Sequence, residues 1–155
     1  MTEPLRLTFE VACAADHAFA VWTERIGTWW PAGHTVSGAP EAVVLQGWVG
    51  GRVYERTTQG VEHDWGVLTK WEPPVFLAFR WHLGVEPESA TDVHVSFSPL
   101  DGGGTLIEIE QSGWDRVGAA ASQLRGRNEV GWNSLVPHVR AAMENGAGDG
   151  NRNQR

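Results

Sequence analysis

The residues best suited to chemistry lie in and near the segment EHDWGVLTKWEPP at 62–74. A hairpin closed by the loop Thr58-Gln59-Gly60, with Gly60 in the left-handed conformation, places Glu55 directly opposite His63 and Val53 opposite Trp65. A register shifted by one residue opposes Glu55 to Asp64 instead, and this pairing of like charges disfavours it. A carboxylate beside an imidazole can orient the polar end of a ligand or transfer a proton, and it can equally form a structural pair. The sequence leaves these alternatives open.

The usual catalytic motifs are absent from the sequence. It contains no GxSxG elbow, no P-loop, no GxGxxG after a strand and no HExxH pair. Its six histidines are scattered, and no two of them have the i, i+4 spacing of ligands on one helix. We therefore predict no metal site, no cofactor and no catalytic residue, and an enzyme is the less favoured class.

The composition bounds the kind of protein. A chain of 155 residues and 17.0 kDa, with 41% hydrophobic residues, fits one domain with one core. A net charge of -7 argues against nucleic acid or an anionic membrane as a partner, because both require a basic face. Cys13 is the only cysteine and the chain shows no signal peptide or membrane span, so a cytoplasmic protein is expected. Small molecules or proteins remain as partners.

The hydrophobic pattern predicts an α+β domain. Residues 5–11 alternate as a strand, and two short helices follow, with Asp16 as the N-cap and Pro31 as the stop. A meander of further strands is predicted at 41–48, 52–58, 62–72, 75–81, 92–98 and 105–111, giving about seven, mostly antiparallel. A tight turn at 49–51 is predicted to join the first two of these. In the fourth strand, one face is predicted to carry His63, Trp65, Val67, Thr69 and Trp71.

The C-terminal part of the chain changes to a helical period. Apolar residues between 116 and 144 predict one long helix, in which Pro137 should cause a kink or begin a new segment. The domain is predicted to cover residues 1–145. The remaining segment, 146–155, has nothing apolar to bury and is expected to be a disordered tail.

Four runs carry a resemblance to a known family, namely VWTERIGTWWP, GWVGGRVYERT, EHDWGVLTKWEPP and FRWHL. In this order they resemble bacterial homologues of the heat-shock protein 90 ATPase activator, within the START-like SRPBCC superfamily. The resemblance covers roughly residues 5–144. It implies the helix-grip fold, in which a curved antiparallel sheet wraps the long C-terminal helix. Because members of this superfamily differ widely in activity, the fold alone does not define a function.

In such a fold the tryptophans of the short helices, the inner sheet face and the long helix surround a cavity. The predicted ligand-binding residues are Trp29, Trp30, Glu55, His63, Trp65, Phe79, Trp81 and Trp132. The favoured function is binding of a small hydrophobic or aromatic molecule between sheet and helix. The alternatives are a co-chaperone-like module acting on an Hsp90-type ATPase and a polyketide-cyclase-like enzyme. The rings can also fill the cavity themselves, and a homodimer through an exposed strand or the Trp-rich loops stays open.

Overall fold

The computed structural model describes residues 2–153. Its strands are β1 (Leu5–Val11), β2 (Ala42–Leu45), β3 (Arg52–Arg56), β4 (Glu62–Glu72), β5 (Phe76–Trp81), β6 (Thr91–Pro99) and β7 (Thr105–Ser112). Its helices are α1 (Ala15–Thr23) and α2 (Ala121–Asn153). Single 3-10 turns lie at Ile26–Thr28, Ala32–His34, Pro87–Ser89, Trp114–Arg116 and Gly118–Ala120.

The strands form one antiparallel sheet in the order β1-β7-β6-β5-β4-β3-β2. Strands β2 to β7 are a meander in which each pairs with the next, and β1 closes the far edge beside β7. Helix α2 turns one face to the core, since its buried residues Trp132, Leu135, Val139 and Met143 follow a helical spacing. The predicted helix-grip α+β fold is confirmed.

Strand β4 contains a bulge that the alternation did not predict. The register of β3 with β4 shifts, so that Val53 pairs with Gly66 and Trp65 is the extra residue. The expected pairing of Val53 with Trp65 is therefore wrong. A Cβ atom at position 66 would collide with the carbonyl oxygen of Arg80 on β5, so the close approach of the strands requires glycine there.

The bulge changes which side chains of β4 point inward. Trp65 is buried as predicted, but Val67 is 43% exposed. Leu68 points inward in its place and is only 1% exposed. A second register shift follows between Leu68 and Lys70, and Thr69 is exposed. The single predicted face running through Val67 and Thr69 is wrong, because each bulge adds one residue to a period-two pattern.

The predicted helices near the N-terminus differ in detail. Helix α1 begins at Ala15 after an extended Ala14, so Asp16 is not the N-cap. Asp16 lies in the first turn instead, where its carboxylate interacts favourably with the positive end of the helix dipole. The second predicted helix is a single 3-10 turn at Ile26–Thr28, and a further 3-10 turn at Ala32–His34 follows the predicted stop at Pro31. The connection between β2 and β3 is a loop at 46–51 rather than strand and tight turn, and its Trp48 is 57% exposed.

Helix α2 begins after two 3-10 turns and stays helical through Pro137, so the alternative that Pro137 begins a new segment is wrong. Its backbone continues to Asn153, into the segment predicted to be a disordered tail, whose residues 154 and 155 lie outside the described range. The domain limit at 145 stays a prediction. Within residues 2–153, no helix combines the length and the apolar character of a membrane span.

Candidate ligand-binding site

Four of the predicted site residues form one buried group of indole rings, the tryptophan cluster of Trp30, Trp65, Trp81 and Trp132. The ring centroids of contacting pairs lie between 5.0 and 6.4 Å apart. The cluster joins three layers, because Trp30 follows the first 3-10 turn, Trp65 and Trp81 come from neighbouring strands, and Trp132 comes from α2. Tilted and edge-to-face aromatic pairs of this kind stabilise a fold by more than the burial of their apolar area alone.

Two further predicted residues extend the tryptophan cluster. Trp29 packs on Trp30 with 5.5 Å between ring centroids, and Phe79 packs on Trp81 at 5.2 Å. All six aromatic residues are less than 9% exposed. The rings therefore fill the space between β4, β5 and α2, where the sequence left open whether they fill a cavity or line one.

An open space remains at the edge of the tryptophan cluster. A crevice of about 410 Å³ lies between the 33–36 segment, the β5–β6 loop and the first half of α2. Trp30, Trp81 and Trp132 form its inner wall, and we call it the aromatic crevice. Its volume lies at the lower end of the range of small-molecule sites, about 300–1,000 Å³. The predicted residues Trp29, Glu55, His63, Trp65 and Phe79 do not line it.

Three glycines from separate parts of the chain line the aromatic crevice. Gly33 precedes His34, Gly84 lies in the β5–β6 loop, and Gly131 lies in the middle of α2. A Cβ atom at any of these positions would meet no atom within 4 Å. Gly131 therefore has no packing role that explains it, although glycine in a helix interior costs about 1 kcal/mol relative to alanine. Side chains at these positions would project into open space beside the rings.

Three of the four indole N–H groups of the tryptophan cluster donate a hydrogen bond to another residue of the protein. The indole N–H groups of Trp30, Trp65 and Trp132 donate to His34 O, Glu55 Oε1 and Gln111 Oε1. Trp81 Nε1 has no protein partner in the described part of the chain. It retains access to solvent, since no fully buried side-chain nitrogen or oxygen among these residues lacks a partner. Trp81 Nε1 is therefore a donor that the described part of the protein leaves without a partner.

A buried amide network holds Trp132, and the sequence analysis did not predict it. Gln111 is 1% exposed and accepts from Trp132 Nε1 at 2.8 Å. Its Nε2 donates to Thr91 Oγ1 at 2.8 Å and to Asn128 Oδ1 at 3.3 Å. The signal was present in β7, because Gln111 occupies an inward position in line with Ile107 and Ile109. A polar residue in such a position requires hydrogen-bond partners.

Glu55 is the buried carboxylate of the site, with no exposed surface. Its Oε1 accepts from the backbone N–H of Val36 at 2.6 Å and from Trp65 Nε1 at 2.8 Å. Its Oε2 accepts from Ser37 N at 3.0 Å and from Ser37 Oγ at 2.6 Å. Burial raises the pKa of the Glu55 carboxyl, but the hydrogen bonds from Ser37, Val36 and Trp65 outweigh it and hold that pKa below its usual range. Glu55 thus anchors the 36–37 segment, whose Val36 lines the crevice.

The depressed pKa predicts a pH dependence of stability. A carboxyl whose pKa is lower in the folded state stabilises the fold above its unfolded pKa of about 4.3, and this contribution is lost as the pH falls through the folded pKa. We expect the free energy of unfolding of the wild type to fall more steeply than that of Glu55→Gln between about pH 6 and about pH 3. Urea unfolding at several pH values measures both slopes, and parallel curves would contradict the effect.

His63 lies opposite Glu55 in the sheet, so the predicted register and the loop with Gly60 in the left-handed region (φ 84°) are confirmed. The predicted pair between the Glu55 and His63 side chains is wrong, because every hydrogen bond that Glu55 accepts in the structure comes from Val36, Ser37 or Trp65. The carboxylate reaches the irregular 36–37 segment rather than across the strands. His63 is half-buried at the sheet and lies away from the aromatic crevice.

A different histidine lies at the crevice. His34 lines it, and His34 Nε2 lies 3.0 Å from Ser134 Oγ on α2. The contact ties the 3-10 turn at Ala32–His34 to helix α2 beside the aromatic crevice. Within the described side chains, residues 2–145, no three His, Cys, Asp or Glu side chains are grouped as metal ligands.

The curled antiparallel sheet, the gripped C-terminal helix and the aromatic interior between them define a START-like helix-grip domain of the SRPBCC superfamily. The family model of the Activator of Hsp90 ATPase homolog 1-like protein matches residues 12–144. The chain belongs to this family, and the resemblance carried by the four runs is confirmed. A search of curated proteins found no match.

Solved structures show the same architecture. The self-sacrificing resistance protein CalC from Micromonospora echinospora is 27% identical, with a TM-score of 0.70 over 90% of this chain and 93% of that one. An anthrahydroquino-γ-pyrone synthase is also 27% identical, with a TM-score of 0.58 over 92% and 94%. The Aha1 dimer from Colwellia psychrerythraea, at 12% identity and a TM-score of 0.68 over 92% and 97%, shares the fold.

Proposed function

We propose that the protein binds a small, largely apolar aromatic molecule in the aromatic crevice. The observation that carries the proposal is the inner wall of three indole rings beside an open volume of about 410 Å³. Aromatic walls with a few convergent polar groups are the usual make-up of small-molecule sites. The ring faces supply apolar contact, and Trp81 Nε1 supplies a hydrogen bond that the protein itself does not use.

Two further features support this function. Gly131 lowers helix stability at a position that lines the crevice, where a Cβ atom would meet no atom within 4 Å. The 27% identical synthase is named for a polycyclic aromatic compound, which is the class of molecule that a wall of indoles accommodates. The co-chaperone-like and cyclase-like alternatives stay predictions, as does a homodimer.

Gly131→Leu tests the site without removing any contact of the native fold. The leucine side chain would project into the crevice, so we expect binding of the neutral probe N-phenyl-1-naphthylamine to weaken at least about tenfold, a loss of about 1.4 kcal/mol. Leucine is a better helix former than glycine, by roughly 0.8 kcal/mol, so the melting temperature should stay equal or rise. Probe fluorescence and thermal unfolding measure the two effects.

Gly126→Leu is the matched control. Gly126 also lies in α2, and a Cβ there would meet no atom within 4 Å, but it does not line the aromatic crevice. This variant should bind the probe as the wild type does. The proposal would be overturned if Gly131→Leu bound the probe as tightly as Gly126→Leu and the wild type. It would also be overturned if the wild type did not bind the probe.

A further inference from the structure

The charges around the aromatic crevice are unlike those of the whole chain. The protein has 19 acidic and 12 basic residues, yet no acidic side chain lines the crevice. Arg127 is the one lining side chain, among the described residues, that carries a permanent charge. It stands on α2 at the same opening as Trp81 and Trp132. The one permanent charge on the described lining is therefore positive, on a protein that is negative overall.

Arg127 is not engaged by the protein. Its side chain forms no ion pair, no hydrogen bond and no ring contact among residues 2–145, whose side chains the structure describes, and it is exposed. The helix explains this, because its neighbours one turn away are Gln123, Leu124, Val130 and Gly131, none of which is acidic. By contrast, Arg125, two residues earlier, donates to the carbonyls of Glu3 and Pro4.

The other polar groups near Arg127 already have partners. Asn128 donates through Nδ2 to Leu124 O, and its Oδ1 accepts from Gln111 Nε2. His34 Nε2 contacts Ser134 Oγ. The guanidinium of Arg127 and the indole N–H of Trp81 are thus two side-chain donors of the lining residues that the described part of the protein does not engage. A guanidinium presents its donors in a planar fork that matches a carboxylate.

We propose that the crevice selects aromatic anions, in which a fused ring system carries one carboxylate. The rings lie against the indoles and the carboxylate pairs with Arg127. This inference rests on the proposed function and names its ligand class. A singly charged ligand fits better than a polyanion, because the net charge of -7 repels further negative charge.

The test compares 2-naphthoate with 2-naphthamide, its neutral analogue of nearly the same shape, by calorimetric titration. We expect the wild type to bind the carboxylate about tenfold more tightly than the amide. Arg127→Met should reduce naphthoate affinity to that of the amide and leave amide affinity within about twofold. Arg127→Lys should keep part of the preference, since the charge remains but the fork is lost. Raising the salt concentration should narrow the wild-type preference, because the pair is exposed.

Arg25→Met is the charge-matched control. It removes the same positive charge at a residue outside the aromatic crevice, so both affinities should stay at the wild-type values. Three results would overturn the inference while the proposed function stands: amide binding with no preference for the carboxylate, equal losses of both ligands in Arg127→Met, or an equal loss of preference in Arg25→Met. If neither naphthalene compound nor the neutral probe binds the wild type, the proposed function fails as well.

Discussion

Replacing Glu55 with glutamine is expected to lower the free energy of unfolding by about 2–3 kcal/mol. Each carboxylate oxygen of Glu55 accepts two hydrogen bonds, whereas the glutamine amide has only one oxygen that can accept. If the amide nitrogen of the glutamine faces Val36 N and Trp65 Nε1, both of these N–H donors lose their acceptor. If it faces Ser37, the hydroxyl can turn to accept, but the backbone N–H of Ser37 loses its partner. Urea unfolding followed by tryptophan fluorescence measures the loss.

Glu62→Gln is the control for this substitution. Glu62 lies in the neighbouring strand and pairs with Arg52 at 3.0 Å, with 38% of its side chain exposed. Removing an exposed ion pair should cost less than about 1 kcal/mol. If Glu55→Gln is as stable as Glu62→Gln, the carboxylate does not anchor the 36–37 segment, and the ligand-orienting role that the sequence left open for Glu55 becomes the better account.

The architecture was predictable because it depends on local patterns. Alternation defined β1, the turn glycines separated the meander strands, and the helical period defined α2. The bulge at Trp65 was not predictable in the same way. It depends on how closely Gly66 approaches Arg80 on the neighbouring strand, which is a tertiary contact without a period-two signal.

The residues of the candidate site were predicted in part. Composition and fold directed attention to Trp30, Trp81 and Trp132, which do line the aromatic crevice. The partners of Glu55 could not be inferred, because two of its four hydrogen bonds come from backbone N–H groups of an irregular segment, and backbone groups carry no sequence signal.

The opening of the crevice depends on glycines from distant parts of the chain. Gly33, Gly84 and Gly131 are far apart in the sequence and come together only in the folded structure. Glycine is common in turns, and 19 glycines occur in this sequence, so two of these positions look ordinary. Gly131 in the helix was the informative one, because a glycine in a helix interior costs stability and calls for a reason.

Trp65→Ala is expected to lower the free energy of unfolding by about 3–5 kcal/mol, the usual cost of truncating a buried aromatic side chain. Trp65 has no exposed surface, and its ring contacts Trp30 and Trp81 at centroid distances of 5.0 and 5.8 Å. The substitution also removes one hydrogen bond from Glu55. Trp48→Ala is the control, since Trp48 is 57% exposed and the same change should cost no more than about 0.5 kcal/mol.

Trp65→Phe separates stability from binding. It keeps a ring in the tryptophan cluster but removes the N–H that Glu55 accepts, so an intermediate loss of about 1–2 kcal/mol is expected. Because Trp65 does not line the aromatic crevice, affinity for N-phenyl-1-naphthylamine should stay within about twofold of the wild type. A folded Trp65→Phe protein that loses the probe as Gly131→Leu does would show that the ligand reaches Trp65. The binding site would then extend into the interior that the rings fill in this structure.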